Sequence, residues 1–168
     1  VFKNSKRNGG KLKMQLQVPT WDNLPALTWK NKVALLAHEF QKLEQTSCPV
    51  EHIFEDGKYI REMRIPKDTL FIGREHIHGH AVQLVDGEAV LITPDGKHYF
   101  KGFSEIHTNP GAHAVAYILT DVVCRTVHPN PDNSRDVEAL EAAAFEPAEK
   151  LFALGRQVKE LITFESAA

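Results

Sequence analysis

The chain has 168 residues, 42% of them hydrophobic and 25% charged, with a formal net charge of −2 at pH 7. That is roughly one domain's worth of chain, with enough apolar mass for a core. The charge balance gives no electrostatic footprint for nucleic acid, no apolar run is long enough to span a membrane, and Cys48 and Cys124 are too few for a disulfide framework or a cysteine zinc site.

Residues 1–31 carry Gly9-Gly10, Pro19 and Pro25 without a sustained period. They read as an extended arm, basic at Lys3, Lys6, Arg7, Lys11 and Lys13, with exposed Trp21 and Trp29 suited to docking. Asn31 reads as an N-cap, and Val33, Leu36, Ala37, Phe40 and Leu43 follow at helical spacing. The pattern predicts a helix over 32–45, within a segment 32–48 that packs on the β-rich region after it. His38 falls off its apolar stripe and reads as a surface residue.

After Pro49 the pattern changes to short β-branched and aromatic runs. Turn pairs separate them: Asp56-Gly57, Pro66-Lys67-Asp68, Asp86-Gly87, Asp95-Gly96 and Pro110-Gly111. Such punctuation predicts an antiparallel sandwich or barrel, with Asp-Gly as the strongest hairpin signal. The strands are expected near 50–54, 59–65, 69–73, 76–85, 88–93, 97–101, 104–108, 112–118 and 122–127. Beyond "HPNPDN", Val137, Leu140 and Ala144, then Leu151, Leu154, Val158 and Leu161, mark two helices within 131–168, with Pro147 opening the second.

The chemistry concentrates in histidine. Of nine histidines, six (76, 78, 80, 98, 107 and 113) fall within 38 residues. On a strand over 76–85, His76, His78 and His80 share one face with Val82 and Leu84. Neighbours two apart stand about 7 Å from each other, close enough for two imidazoles to share an ion at about 2.1 Å. The outer pair is too far apart unless Gly79 bends the strand. The candidate metal ligands are therefore His76, His78 and His80, completed by His113 after the turn "TNPGA", with His107 as its substitute. His128 reads equally as a turn cap, and His98 and His52 as surface residues.

These residues resemble the cupin superfamily. His80 stands seven before Gly87 and four after His76, so it takes the place of the family's motif glutamate, while the family's first histidine falls on Arg74. "NPGAH" resembles the second motif with its histidine one residue early. The stretch from "PVEHIFEDGKYIREMRIP" to "RTVHPN" is also similar to small cupin-like proteins of tailed bacteriophages. The resemblance covers about residues 49–130. It implies a mainly β chain: a double-stranded β-helix barrel with one helix before it and two after it. It also implies a bound divalent metal, and a place in a bacterial host's cytoplasm or in a virion.

An imidazole shell without carboxylate suits Zn²⁺, Fe²⁺ or Ni²⁺ rather than Mg²⁺ or Ca²⁺. On strand 59–65, Glu62 and Arg64 share one face and Tyr59, Arg61 and Met63 the other; either set could position a substrate, and solvent-facing charges are the simpler reading of both. Two functions of different class are compatible with these residues. One is a small-molecule metalloenzyme of unspecified reaction. The other is a structural or virion-associated module, a homo-oligomer assembling through its arm and terminal helices. The first predicts an open pocket, the second a barrel mouth filled by Phe71, Tyr99 or Phe103.

Overall fold

Strand-forming runs and Asp-Gly turns build two antiparallel five-stranded sheets in the computed structural model, which describes residues 2–3 and 27–165. The elements are β1 (Phe2–Lys3), α1 (Trp29–Phe40), β2 (Val50–Glu55), β3 (Lys58–Ile65), β4 (Thr69–Ile72), β5 (His80–Asp86), β6 (Glu88–Thr93), β7 (Gly96–Lys101), β8 (Ser104–Thr108), β9 (Val115–Ile118), β10 (Val122–Pro129), α2 (Val137–Ala144) and α3 (Ala148–Glu165). One sheet runs β1-β4-β9-β6-β7 and the other β2-β3-β10-β5-β8. From β3 to β10 the chain crosses repeatedly between the sheets, and most strands have a neighbour distant in sequence. That is the eight-stranded double-sheet jelly roll, a cupin-like double-stranded β-helix with one helix before it and two after it. The expected fold class holds.

The turns work as their residues dictate. Gly57, Gly87, Gly96 and Gly111 all have positive φ, which glycine adopts without steric cost. Gly87 is the most constrained: at φ +97°, a Cβ there would run into Asp121 O and stand 2.8 Å from Val122 Cγ2. Between the sheets, Ile65, Ala89, Ala116, Ile118 and Val122 form the barrel core. On the outer face of the β1-β4-β9-β6-β7 sheet, Val33, Leu36 and Ala37 of α1 pack on Ile72 and Val115.

Several boundaries differ from expectation. The first helix starts at Trp29, not 32, because Thr28 rather than Asn31 is the N-cap; its side chain accepts from Asn31 N at 3.2 Å. Trp29 packs against the α1 core cluster instead of standing exposed on an arm. The helix stops at Phe40, short of 45. Phe2–Lys3 pairs with β4, so the first residues of the arm join a sheet; Trp21 and the rest of 4–26 lie outside the described residues. His38 is half-buried between helices, where burial lowers its pKa.

Candidate functional site

The alternation that predicts a strand at "HIHGH" is misleading, because β5 begins only at His80. Residues 73–79 form a loop whose His76 makes an isolated bridge to Phe145, beyond α2. Ile77 N donates to Ala144 O at 2.9 Å, and Glu146 N donates to Glu75 O at 3.0 Å. Two of the segment's backbone partners therefore lie at the α2–α3 junction, which no local pattern announces; the others, Gly111, Ala112 and Ala114, precede β9. His113 likewise precedes β9 instead of opening a strand at 112.

Gly79 is the pivot. A Cβ there would stand 2.8 Å from Thr108 O, a backbone atom of the strand paired with β5 through His80↔Thr108. Gly79→Ala therefore pushes the loop off β8, at a cost of about 1–3 kcal/mol. Urea denaturation would read this; an unchanged midpoint would mean that the loop does not approach β8 so closely.

This path stacks two of the histidines. The His76 and His80 rings lie face to face, centroids 3.5 Å apart and planes 14° from parallel. A third ring joins from β10: His128 is 5.2 Å from His80 and 5.4 Å from His76. The pairing Val127↔Ala81 continues toward His128 and His80, and His128 shares the inward face of Cys124 and Thr126. All three rings are buried. His78 is exposed, as is His107, which pairs with Glu105. His113 lines the same cavity as His76 and His80. His98 is exposed, as expected, whereas His52 bonds the Tyr59 hydroxyl at 2.8 Å.

Burial keeps these imidazoles uncharged. It pushes His76 down to about 2, helped by the neighbouring His80, His128 and Arg61, and pushes His128 down to about 4. His80 and His113 are lowered by burial too. At neutral pH each ring then keeps one lone pair. The Thr108 hydroxyl donates to His80 O (3.2 Å) and is 2.7 Å from His80 Nδ1. That leaves the Thr108 oxygen to accept from Nδ1–H, and assigns the lone pair to Nε2. His80 Nε2 is buried with no partner, as are His76 Nδ1 and His113 Nε2.

The donor chemistry thus fits a borderline-soft divalent cation. The ring placement fits in part. Rings sharing a tetrahedral ion at about 2.1 Å per nitrogen stand with centroids about 5 Å apart. His128 meets that spacing with both partners, although its plane lies only 12° and 17° from theirs, and the His76–His80 stack is too close. Among the described residues no three His, Cys, Asp or Glu side chains already converge as ligands. A shared ion requires His76 to turn off the His80 face, and no hydrogen bond to its Nδ1 opposes that.

The cluster borders a cavity of about 800 Å³ in the barrel. Arg61 lines it, so the strand charges do not all face solvent: Arg61 and Met63 point inward, while buried Glu62 is held outside by Arg64 and Arg125. Phe145 closes one end. Its ring lies 4.6 Å from His76, with the Arg61 and Arg74 guanidinium carbons 4.7 and 4.4 Å from its centroid. Both arginines bond Glu141 of α2, at 2.9 and 3.1 Å. Sequence reasoning left His128 undecided between chemistry and a turn cap, preferred a solvent-facing reading of Arg61 over substrate positioning, and missed Arg74. For His128 a signal exists: Cys124, Thr126 and His128 alternate along one strand toward an interior face.

No family model matches the chain, and no curated protein matches it. Among solved structures, it is similar to an HTH_3-family transcriptional regulator from Vibrio cholerae (12% identity, TM-score 0.42, covering 50% of this chain and 51% of that one). This chain thus spans about half that regulator's length. It is also similar to a cupin-2 domain protein from Shewanella frigidimarina (9% identity, TM-score 0.41, 56% of this chain and 92% of that one). A third is an RmlC-like cupin with a double-stranded β-helix fold from Methanocaldococcus jannaschii (13% identity, TM-score 0.41, 53% and 86%).

Proposed function

We propose that this cupin-like protein binds a divalent transition metal at its histidine cluster and a small molecule in the adjoining cavity. The observation that carries the reading is His80: one ring nitrogen is fixed by Thr108 and the other is buried without a partner. Metal-ligating histidines have this arrangement, because the outer hydrogen bond orients the ring and sets its tautomer. His76, His80 and His128 would hold the ion, with His113 facing the same cavity; exposed His78 is not needed. Bound there, the metal would supply a Lewis acid. The chain's own residues would hold the ligand beside it and keep water out.

The open cavity favours this over a filled structural barrel. Tyr99 and Phe103, which would have to plug the mouth, are 57% and 70% exposed, and Phe71 lines the cavity without closing it. Assembly as a homo-oligomer or in a virion rests on the arm, most of which lies outside the described residues.

Elemental analysis of untagged protein, equilibrated with Zn²⁺, Ni²⁺ or Fe²⁺ and then dialysed, tests the site. The expected result is about one ion per chain, lost in His80→Ala and His128→Ala and kept in His78→Ala. Thr108→Val should weaken binding about 10–100-fold, as loss of an orienting bond does. Substoichiometric metal in the parent, or full occupancy in both alanine variants, would overturn the proposal.

A further inference from the structure

The cavity wall is chemically lopsided. At the histidine end, two guanidinium groups, Arg61 and Arg74, share one carboxylate, Glu141. Two guanidiniums with one carboxylate leave this group one positive charge in excess. Arg74 Nε is buried with no partner. An N–H donor left so costs stability unless something accepts from it. Glu75 does not neutralise the excess, because Lys30 already pairs with it at 2.8 Å. Asp95 lies in an exposed turn lining the cavity.

Elsewhere the lining is apolar: Phe71 and Leu91 come from one sheet, and Val82 and Ile106 from the sheet that holds Arg61. The same four side chains border a second cavity of about 100 Å³, whose lining is almost wholly hydrophobic and reaches Ile118 and Val122. The two cavities therefore adjoin across these four side chains, and the larger one carries the cationic, donor-rich end. A polar ligand alone would leave the floor unfilled, and an apolar one would leave Arg74 Nε unmet.

We infer that the cavity takes an amphipathic carboxylate, its anionic head on Arg74 and Arg61 and its apolar body against Phe71, Val82, Leu91 and Ile106. This names the ligand class for the small-molecule site proposed above and rests on that reading, but not on its metal. The head would accept from Arg74 Nε and offset the excess charge, and a charge-assisted bond of this kind is among the stronger ones. The body would displace poorly held water from the apolar wall.

Calorimetric titration with octanoate and with octanol, on chelator-treated and on zinc-equilibrated protein, tests the inference. Octanoate should bind both preparations alike, and more tightly than octanol by about 10-fold or more. From butanoate to octanoate, affinity should rise by about 4-fold per methylene. Arg74→Gln should weaken octanoate about 10-fold and leave octanol unchanged. Three results would overturn it: no octanoate binding, octanol binding equally well, or octanoate binding only to the zinc-equilibrated protein. The last would place the carboxylate on the metal. If Arg74→Gln does not fold, the octanoate–octanol comparison on the parent still decides. A parent that takes up no metal yet binds octanoate would overturn the metal reading alone.

Discussion

Gly155→Ala should lower the thermal unfolding midpoint by roughly 6–12 °C, about 3 kcal/mol for a domain of this size. Propensity alone predicts the opposite sign, because alanine in a helix interior is favoured over glycine by about 1 kcal/mol. The close crossing of α1 and α3 reverses it. A Cβ on Gly155 would overlap Ala34 O and stand 2.6 Å from His38 Cβ. Ala34 O belongs to the backbone of α1, so no rotamer change relieves the overlap and the helices must part. The strain then passes inward, since α1 packs Val33, Leu36 and Ala37 on Ile72 and Val115. Those strand residues flank the loop of His76 and the turn of His113. Circular dichroism melts measure the effect. A midpoint equal to or above the parent's would mean that the helices do not cross at this glycine.

Much of the fold is legible in the sequence because hairpins are local. Asp56-Gly57 and Asp95-Gly96 each announce a positive-φ glycine and close the hairpins β2–β3 and β6–β7, whereas Asp86-Gly87 turns the chain from one sheet to the other. The site is legible only in part. His76 and His80 stand out as a pair and do come together, but through a loop. Alternating histidines mimic a strand's period of two, while the backbone of 73–79 takes partners from Ala112, Ala144 and Glu146 instead of a ladder. Arg61 and Arg74 become cavity residues through Glu141, 80 and 67 positions away. A pairing over that distance leaves no trace in any local window. His128 is a different case: its inward alternation with Cys124 and Thr126 is readable, but the neighbouring "HPNPDN" turn argues equally for a cap.

Metal-free protein should lose roughly 4–5 kcal/mol of stability between pH 6.5 and pH 4.5, through His76 and His128. Burial lowers both folded-state pKa values, to about 2 and about 4, from an ordinary value of 6.5. Below pH 6.5 the unfolded chain takes up protons that the folded chain refuses, so stability is complete above that pH and falls as acid is added. Each buried histidine contributes a slope of about 1.4 kcal/mol per pH unit until its folded pKa is reached. For His128 the loss ends near pH 4; for His76 it continues below. His80 and His113, also lowered, add in the same direction. A typical domain has only about 5–15 kcal/mol in hand, so at the low end of that range this loss alone brings acid unfolding to about pH 4.5, at the upper edge of carboxylate titration. Urea denaturation across pH in the presence of a chelator gives the proton uptake on unfolding, expected near two or more at about pH 5. His76→Gln should remove about one of those protons, because glutamine does not titrate. Uptake near zero in the parent would mean that the histidines are charged or solvated in the folded state.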